Sequence, residues 1–146
     1  MRIYVAVVGP GEADPDEIGA AERVGAELTR RGAVVVCGGL GGVMEAACRG
    51  AKEAGGTTVG ILPGLDRATA NEYVDVALPT GLGEARNALV VRAADVLIAV
   101  GGAYGTLSEI ALALKAGKRV IGVGSWNIEG MQTVETAEQA VASALP

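Results

Sequence analysis

A β-branched run that breaks into glycine and then turns helical, VVVCGGLGGVME over Val34–Glu45, dictates a strand, a tight loop and a helix in immediate succession. Four of the five residues from Gly38 to Gly42 are glycine. Glycine reaches positive φ without strain and lets a ligand approach the main chain. The helix that follows offers unpaired N–H groups and a positive dipole end to an anion. This is the local architecture of a phosphate cradle.

The same alternation runs along the whole chain. Ile3–Val8 is a continuous apolar run closed by Gly9-Pro10-Gly11, which predicts a buried strand and its exit loop. Asp14–Arg31 predicts a helix with acidic residues at its front and Arg30-Arg31-Gly32 at its back. Ala33–Cys37, Thr57–Leu62, Tyr73–Ala77, Val96–Val100 and Val120–Val123 predict strands, and Met131–Val134 an edge strand. Gly42–Ala54, Glu84–Ala94, Thr106–Ala116 and Ala137–Leu145 predict helices, with Leu65–Asn71 as an irregular loop. Strands of unbroken Val/Ile/Leu character are buried on both faces. The expected fold class is therefore α/β: a single-domain, Rossmann-like, three-layer α/β/α arrangement over residues 1–146 with a mostly parallel sheet. A length of 146 residues fits one domain.

A second glycine loop follows the Val96–Val100 strand, Gly101-Gly102-Ala103-Tyr104-Gly105-Thr106. Both loops fall at the carboxyl ends of parallel strands, the edge where open α/β sheets bind ligands. If the strands flank the topological switch, one ligand touches both helix N-termini. The candidate ligand-binding residues are Gly9, Gly38, Gly39, Gly41, Gly42, Met44, Gly102, Gly105 and Thr106. Neither loop is a Walker A motif: no GK[ST] follows, and the only lysines are Lys52, Lys115 and Lys118. The ribose-binding acid of a dinucleotide fold would lie ~20 residues on. That position, Val59–Ile61, holds no acid. Kinase and dehydrogenase chemistry are disfavoured.

Composition removes further classes. The chain has no histidine, so Ser-His-Asp and Cys-His mechanisms are excluded and the commonest metal ligand is missing. No metal site is expected. Its net charge is −5, against the basic balance of a nucleic-acid surface. No apolar run approaches ~18 residues, so no membrane partner is expected. Met1–Val8 runs into Gly9, Pro10 and acidic residues instead of a cleavage site, so no signal peptide is expected and the default location is the cytoplasm. Cys37 and Cys48 lack zinc spacing and read as buried small apolar residues.

Two residues carry potential chemistry. Arg86, after Gly81-Leu82-Gly83-Glu84, lies at the start of a helix at the same sheet edge and suits phosphate or carboxylate. Glu109 lies one turn into the helix opened by the second loop. Thr106-x-x-Glu109 also reads as a capping box, which would make Glu109 purely structural. The alternative is a buried carboxylate that steadies an oxocarbenium-like centre or positions water. Asp95, at the start of a core strand, reads as a turn anchor.

With these residues in view, the sequence resembles the Lonely Guy (LOG) family, long labelled "lysine decarboxylase-like", along nearly its whole length. Gly38-Gly39-Leu40-Gly41-Gly42-Val43-Met44 is similar to the family's GGG-x-x-G-x-M element, and Gly101–Glu109 to its PGG-x-GT-x-x-E signature. Arg86 matches the arginine that works with that glutamate. The resemblance implies binding of a phosphorylated, nucleotide-like ligand. In the enzymes, Arg86 and Glu109 would be the catalytic pair in hydrolysis of a nucleoside 5′-monophosphate to base and ribose 5-phosphate. Two departures stand out: Pro-Gly-Gly is replaced by Gly101-Gly102-Ala103, and the enzymes' Arg-Lys by Arg86-Asn87. The run Glu84–Asn87 is similar to a short bacterial branch related to molybdenum cofactor carrier proteins, which bind a pterin phosphate without catalysis. No cofactor is then required, and the bound molecule is a nucleotide monophosphate or a molybdopterin-type ligand. No pyridoxal-phosphate lysine environment supports the decarboxylase label. Three readings stay open: a carrier or sensor, an N-glycosidic hydrolase, or an assembly unit with a lapsed site. The resemblance also implies a homodimer or homotetramer.

Overall fold

The computed structural model describes residues 1–146. Seven strands form one sheet: β1 (Tyr4–Val8), β2 (Val34–Cys37), β3 (Thr58–Leu62), β4 (Val76–Pro79), β5 (Val96–Val100), β6 (Arg119–Val123) and β7 (Gln132–Val134). Five helices accompany them: α1 (Pro15–Arg30), α2 (Val43–Glu53), α3 (Asn87–Ala93), α4 (Tyr104–Lys115) and α5 (Ala137–Ala144). The strand order is β4-β3-β2-β1-β5-β6-β7, and every pairing is parallel.

The chain builds outward from β1 to β4, then returns to lay β5 against the other side of β1. Right-handed crossovers taken in opposite directions put their helices on opposite faces. Accordingly, α1, α2 and α5 cover one face, packing on Val5, Val7, Val35, Val96, Ile98 and Val100. The other face holds α3 and α4, packing on Ala6, Val8, Val36, Leu97 and Ala99. Alternate residues of β1 and β5 thus feed two cores, as expected of a doubly covered parallel sheet. The switch between β1 and β5 is the crevice where such sheets take ligands.

A core without phenylalanine is closed by drawing backbones together. A Cβ on Gly25 of α1 would lie 2.0 Å from the Ala47 carbonyl oxygen of α2, and one on Gly50 of α2 would lie 2.0 Å from the Glu22 carbonyl oxygen of α1. Helix ends follow their sequence signals where caps exist. Asp14 and Glu17 form a capping box on α1, and Thr136 and Gln139 form one on α5. Asp95 is a structural anchor: its Oδ2 accepts from the Tyr4 N–H at 2.9 Å, at the strand edge opposite the glycine loops.

Three expected elements shift by more than one residue. The strand expected at Tyr73–Ala77 lies at Val76–Pro79. Asn71 turns the preceding segment by accepting from Tyr73 N–H at its side chain and from Val74 N–H at its carbonyl. The helix expected over Glu84–Ala94 opens as a 3₁₀ turn, Gly83–Arg86, before α3 begins. Helix α4 begins at Tyr104, two residues before the expected Thr106, with Ala103 as its N-cap. That last shift changes the meaning of Glu109.

Candidate functional site

Four chain segments meet at the carboxyl edge of the sheet, at the β1/β5 switch. The β1 exit brings Gly9, Pro10 and Gly11; the β2 exit and α2 bring Gly38 and Met44. The turn into α3 brings Arg86 and Asn87, and the β5 exit with α4 brings Ala103, Gly105, Thr106 and Glu109. Together they enclose a cleft of ≈ 200 Å³.

The N-terminus of α4 is open. Its cap, Ala103, has no side-chain acceptor to offer, and the first intrahelical bond runs from Leu107 N–H to the Ala103 carbonyl. The N–H groups of Tyr104, Gly105 and Thr106 therefore have no protein acceptor. Thr106 is the third residue of the helix and cannot cap it. The expected Thr106–Glu109 capping box is absent. The Thr106 side chain is 2 % exposed, and its hydroxyl has no hydrogen-bond partner. Buried hydroxyls are almost always paired; Thr29 and Ser125 also lack a partner, and Thr106 is the one of the three that lines the cleft.

Glu109, one turn deeper, is 7 % exposed. Burial pushes its carboxyl up to about 7, and the nearby Arg86 charge only partly offsets this. No protein group donates to that carboxyl.

Arg86 is fixed from three sides. Its Nε donates to the Ile61 carbonyl at 2.9 Å, one terminal nitrogen to the Gly38 carbonyl at 3.4 Å, and the other to the Asn87 side-chain oxygen. A guanidinium has five donors. Three are used by the protein, and the rest remain for the cleft. Gly38 makes this possible: a Cβ there would lie 2.6 Å from the Arg86 Nη2 and 2.8 Å from the Met44 sulfur.

The sequence-derived residues divide in two. Gly9, Gly38, Met44, Arg86, Gly105, Thr106 and Glu109 all line the cleft. Gly39, Gly41, Gly42 and Gly102 do not. Gly39 is buried with φ +80°, its N–H donating to the Cys37 sulfur and its carbonyl accepting from Asn71. Gly42, at φ +64°, abuts the Pro10 carbonyl, which also accepts from Val43 N–H at 3.1 Å. The α2 terminus thus leans on the β1 exit loop through Val43, while its Met44 and Glu45 N–H groups, like the first amides of α4, have no protein acceptor. Gly102 lies against the Trp126 indole instead. Asn87 is the residue that sequence reasoning passed over as a site component. It is 7 % exposed and clamps Arg86. Its signals were a polar residue directly after Arg86 at the head of an apolar helix and the departure from the Arg-Lys of the resembled enzymes.

Cys37 and Cys48 are free, fully buried thiols with sulfurs 3.5 Å apart. No group of three His, Cys, Asp or Glu residues is arranged to hold a metal ion. No helix is long and apolar enough to cross a membrane.

Comparison with known proteins places this geometry. The solved structure of the molybdenum cofactor binding protein from Rippkaea orientalis superposes with a TM-score of 0.94 at 37 % identity, covering 99 % of this chain and 96 % of that one. The molybdenum cofactor carrier protein of Chlamydomonas reinhardtii superposes at 0.91 with 35 % identity and the same coverage. A rice protein named "probable cytokinin riboside 5′-monophosphate phosphoribohydrolase" is 35 % identical over 94 residues, which span 62 % of this chain and 38 % of that protein. The family model described as the SLOG cluster4 family matches residues 2–145. The chain, with its all-parallel Rossmann-like sheet and its cleft between two glycine loops, belongs to the SLOG cluster4 family.

Proposed function

We propose that this protein binds a phosphate-bearing, nucleotide-like ligand, with a molybdopterin-type pterin as the sharpest case, and acts as its carrier. The observation that carries this reading is the buried, unpartnered Thr106 hydroxyl on the uncapped end of α4. A phosphate there accepts from three backbone N–H groups and the hydroxyl and meets the positive end of the helix dipole. The guanidinium of Arg86 supplies the compensating charge. These groups fit the phosphate end of such a pterin; the rest of the molecule is cargo. Likeness to two molybdenum cofactor proteins over nearly the full chain supports the same choice.

Asn87 favours carriage over turnover. Where the resemblance leads one to expect a second cation, this chain has a neutral amide bound to Arg86.

A second reading rests on Glu109. A carboxyl pushed up to about 7 beside an arginine is suited to proton transfer at neutral pH, as a nucleoside 5′-monophosphate phosphoribohydrolase requires. One experiment separates the two. The protein is incubated with nucleoside monophosphates, ribose 5-phosphate release is assayed, and thermal shift is followed in parallel. Carriage predicts a raised melting temperature without release. Release that disappears in Glu109→Gln establishes the hydrolase. A ligand at 100 times its Kd stabilises by ~2.7 kcal/mol, so absence of any shift overturns both.

The reading implies a cytoplasmic protein, where free thiols stay reduced. Assembly as a homodimer or homotetramer has its candidate face on α3 and α4, where Leu89 and Leu112 are exposed.

A further inference from the structure

Two of the four aromatic side chains meet beside the start of α4, although they come from separate parts of the chain. Tyr104 is the first residue of α4, bracketed by the cleft-lining Ala103 and Gly105. Trp126 comes from the segment joining β6 to β7. Their rings lie 6.5 Å apart at an interplanar angle of 22°. Trp126 is held in place by its indole N–H, which donates to the Ala103 carbonyl at 3.2 Å, and by the bare face of Gly102. A Cβ on Gly102 would lie 3.0 Å from the indole nitrogen.

Tyr104 is 84 % exposed. It serves no core, yet it sits beside the three open amides of α4. The cleft itself, ≈ 200 Å³, is smaller than the ~300–1,000 Å³ of sites that enclose a whole drug-sized ligand. A ligand anchored by phosphate at Thr106 therefore extends its other end over the rim.

We propose that the Tyr104–Trp126 pair is the platform on which the planar heterocycle of the ligand stacks. The proposal rests on the phosphate reading above and names the ligand class: a phosphate ester carrying a flat, fused heteroaromatic ring such as a purine or pterin. Aromatic stacking tolerates any ring with a π face, so the platform selects for a ring over none without choosing between rings.

Trp126 is the sole tryptophan, so its fluorescence reports on the platform directly. Wild type, Tyr104→Ala and Tyr104→Phe are titrated with guanosine 5′-monophosphate and with ribose 5-phosphate, and affinity and tryptophan emission are recorded. In the wild type the nucleotide binds about tenfold tighter than the sugar phosphate and quenches Trp126, whereas the sugar phosphate binds without quenching. Tyr104→Ala loses the tenfold advantage and leaves sugar-phosphate binding unchanged; Tyr104→Phe keeps both. Equal wild-type affinity for the two ligands, or an equal loss of both in Tyr104→Ala, overturns the platform and leaves the phosphate site standing. Failure of both to bind overturns the phosphate site, and the platform with it.

Discussion

Arg86 and Glu109 face the same cleft without forming an ion pair. The guanidinium is committed to the Ile61 and Gly38 carbonyls and to Asn87, and the carboxyl receives no protein donor. Burial pushes Glu109 up to about 7, and the Arg86 charge, with its guanidinium engaged elsewhere, offsets only part of that rise.

That carboxyl makes stability depend on pH. Glu109 binds its proton more tightly folded than unfolded, so folding takes up a proton between its ordinary value of 4.5 and about 7. Stability falls as pH rises through this window and stays lower above it. Glu109→Gln carries no such burden. Relative to the wild type it gains on the order of 3 kcal/mol at pH 8 and nearly nothing at pH 4, as read by urea denaturation at both pH values.

Arg86 is positioned by the protein and spends its remaining donors on the ligand. Arg86→Lys keeps the charge and loses the planar fork that reaches the Ile61 and Gly38 carbonyls together. Affinity for ribose 5-phosphate drops about tenfold or more, measured by calorimetric titration.

The α1–α2 contact tolerates no added atom. A Cβ at Gly25 would sit 2.0 Å from the Ala47 carbonyl oxygen, and both helices would have to separate to admit it. Gly25→Ala destabilises by about 1–3 kcal/mol in chemical denaturation, despite alanine's better helix propensity.

Both thiols lie at 0 % exposure inside the β2–α2 unit. A thiol reagent such as dithionitrobenzoate reacts with neither Cys37 nor Cys48 in the native protein, and with both in guanidinium. Rapid native reaction would show that this unit opens locally.

The fold was legible because the central strands β1, β2, β5 and β6 are short apolar, Val-rich runs followed directly by glycine, and those glycines fall where the chain leaves the sheet. The site was legible as two loops and two charged residues. The sequence could not show how the loops divide their labour. Val43 N–H turns inward to the Pro10 carbonyl, which leaves α2 two open amides, Met44 and Glu45, against three at the start of α4. Nor could spacing distinguish a capping box from a helix that begins two residues earlier. Thr106 and Glu109 fit both patterns, and only the start of α4 at Tyr104 places the threonine inside the helix with its hydroxyl unpaired. Asn87 stood out only as a departure from Arg-Lys, with no place in the site, and the Tyr104–Trp126 pair lay beyond motif reasoning. Their roles depend on neighbours brought in by tertiary packing, Arg86 for one and Ala103 for the other.

Thr106 gives the most direct test of the central claim that α4 opens onto a phosphate. Valine matches threonine in shape and removes the unpartnered buried hydroxyl. Calorimetric titration of wild type and Thr106→Val with guanosine 5′-monophosphate, beside their melting temperatures, is the decisive measurement. The account predicts that Thr106→Val binds about tenfold or more weakly while melting at the same temperature or higher, because the lost hydroxyl serves the ligand and not the fold. Undiminished affinity in Thr106→Val, or a lower melting temperature of the ligand-free protein, would contradict it.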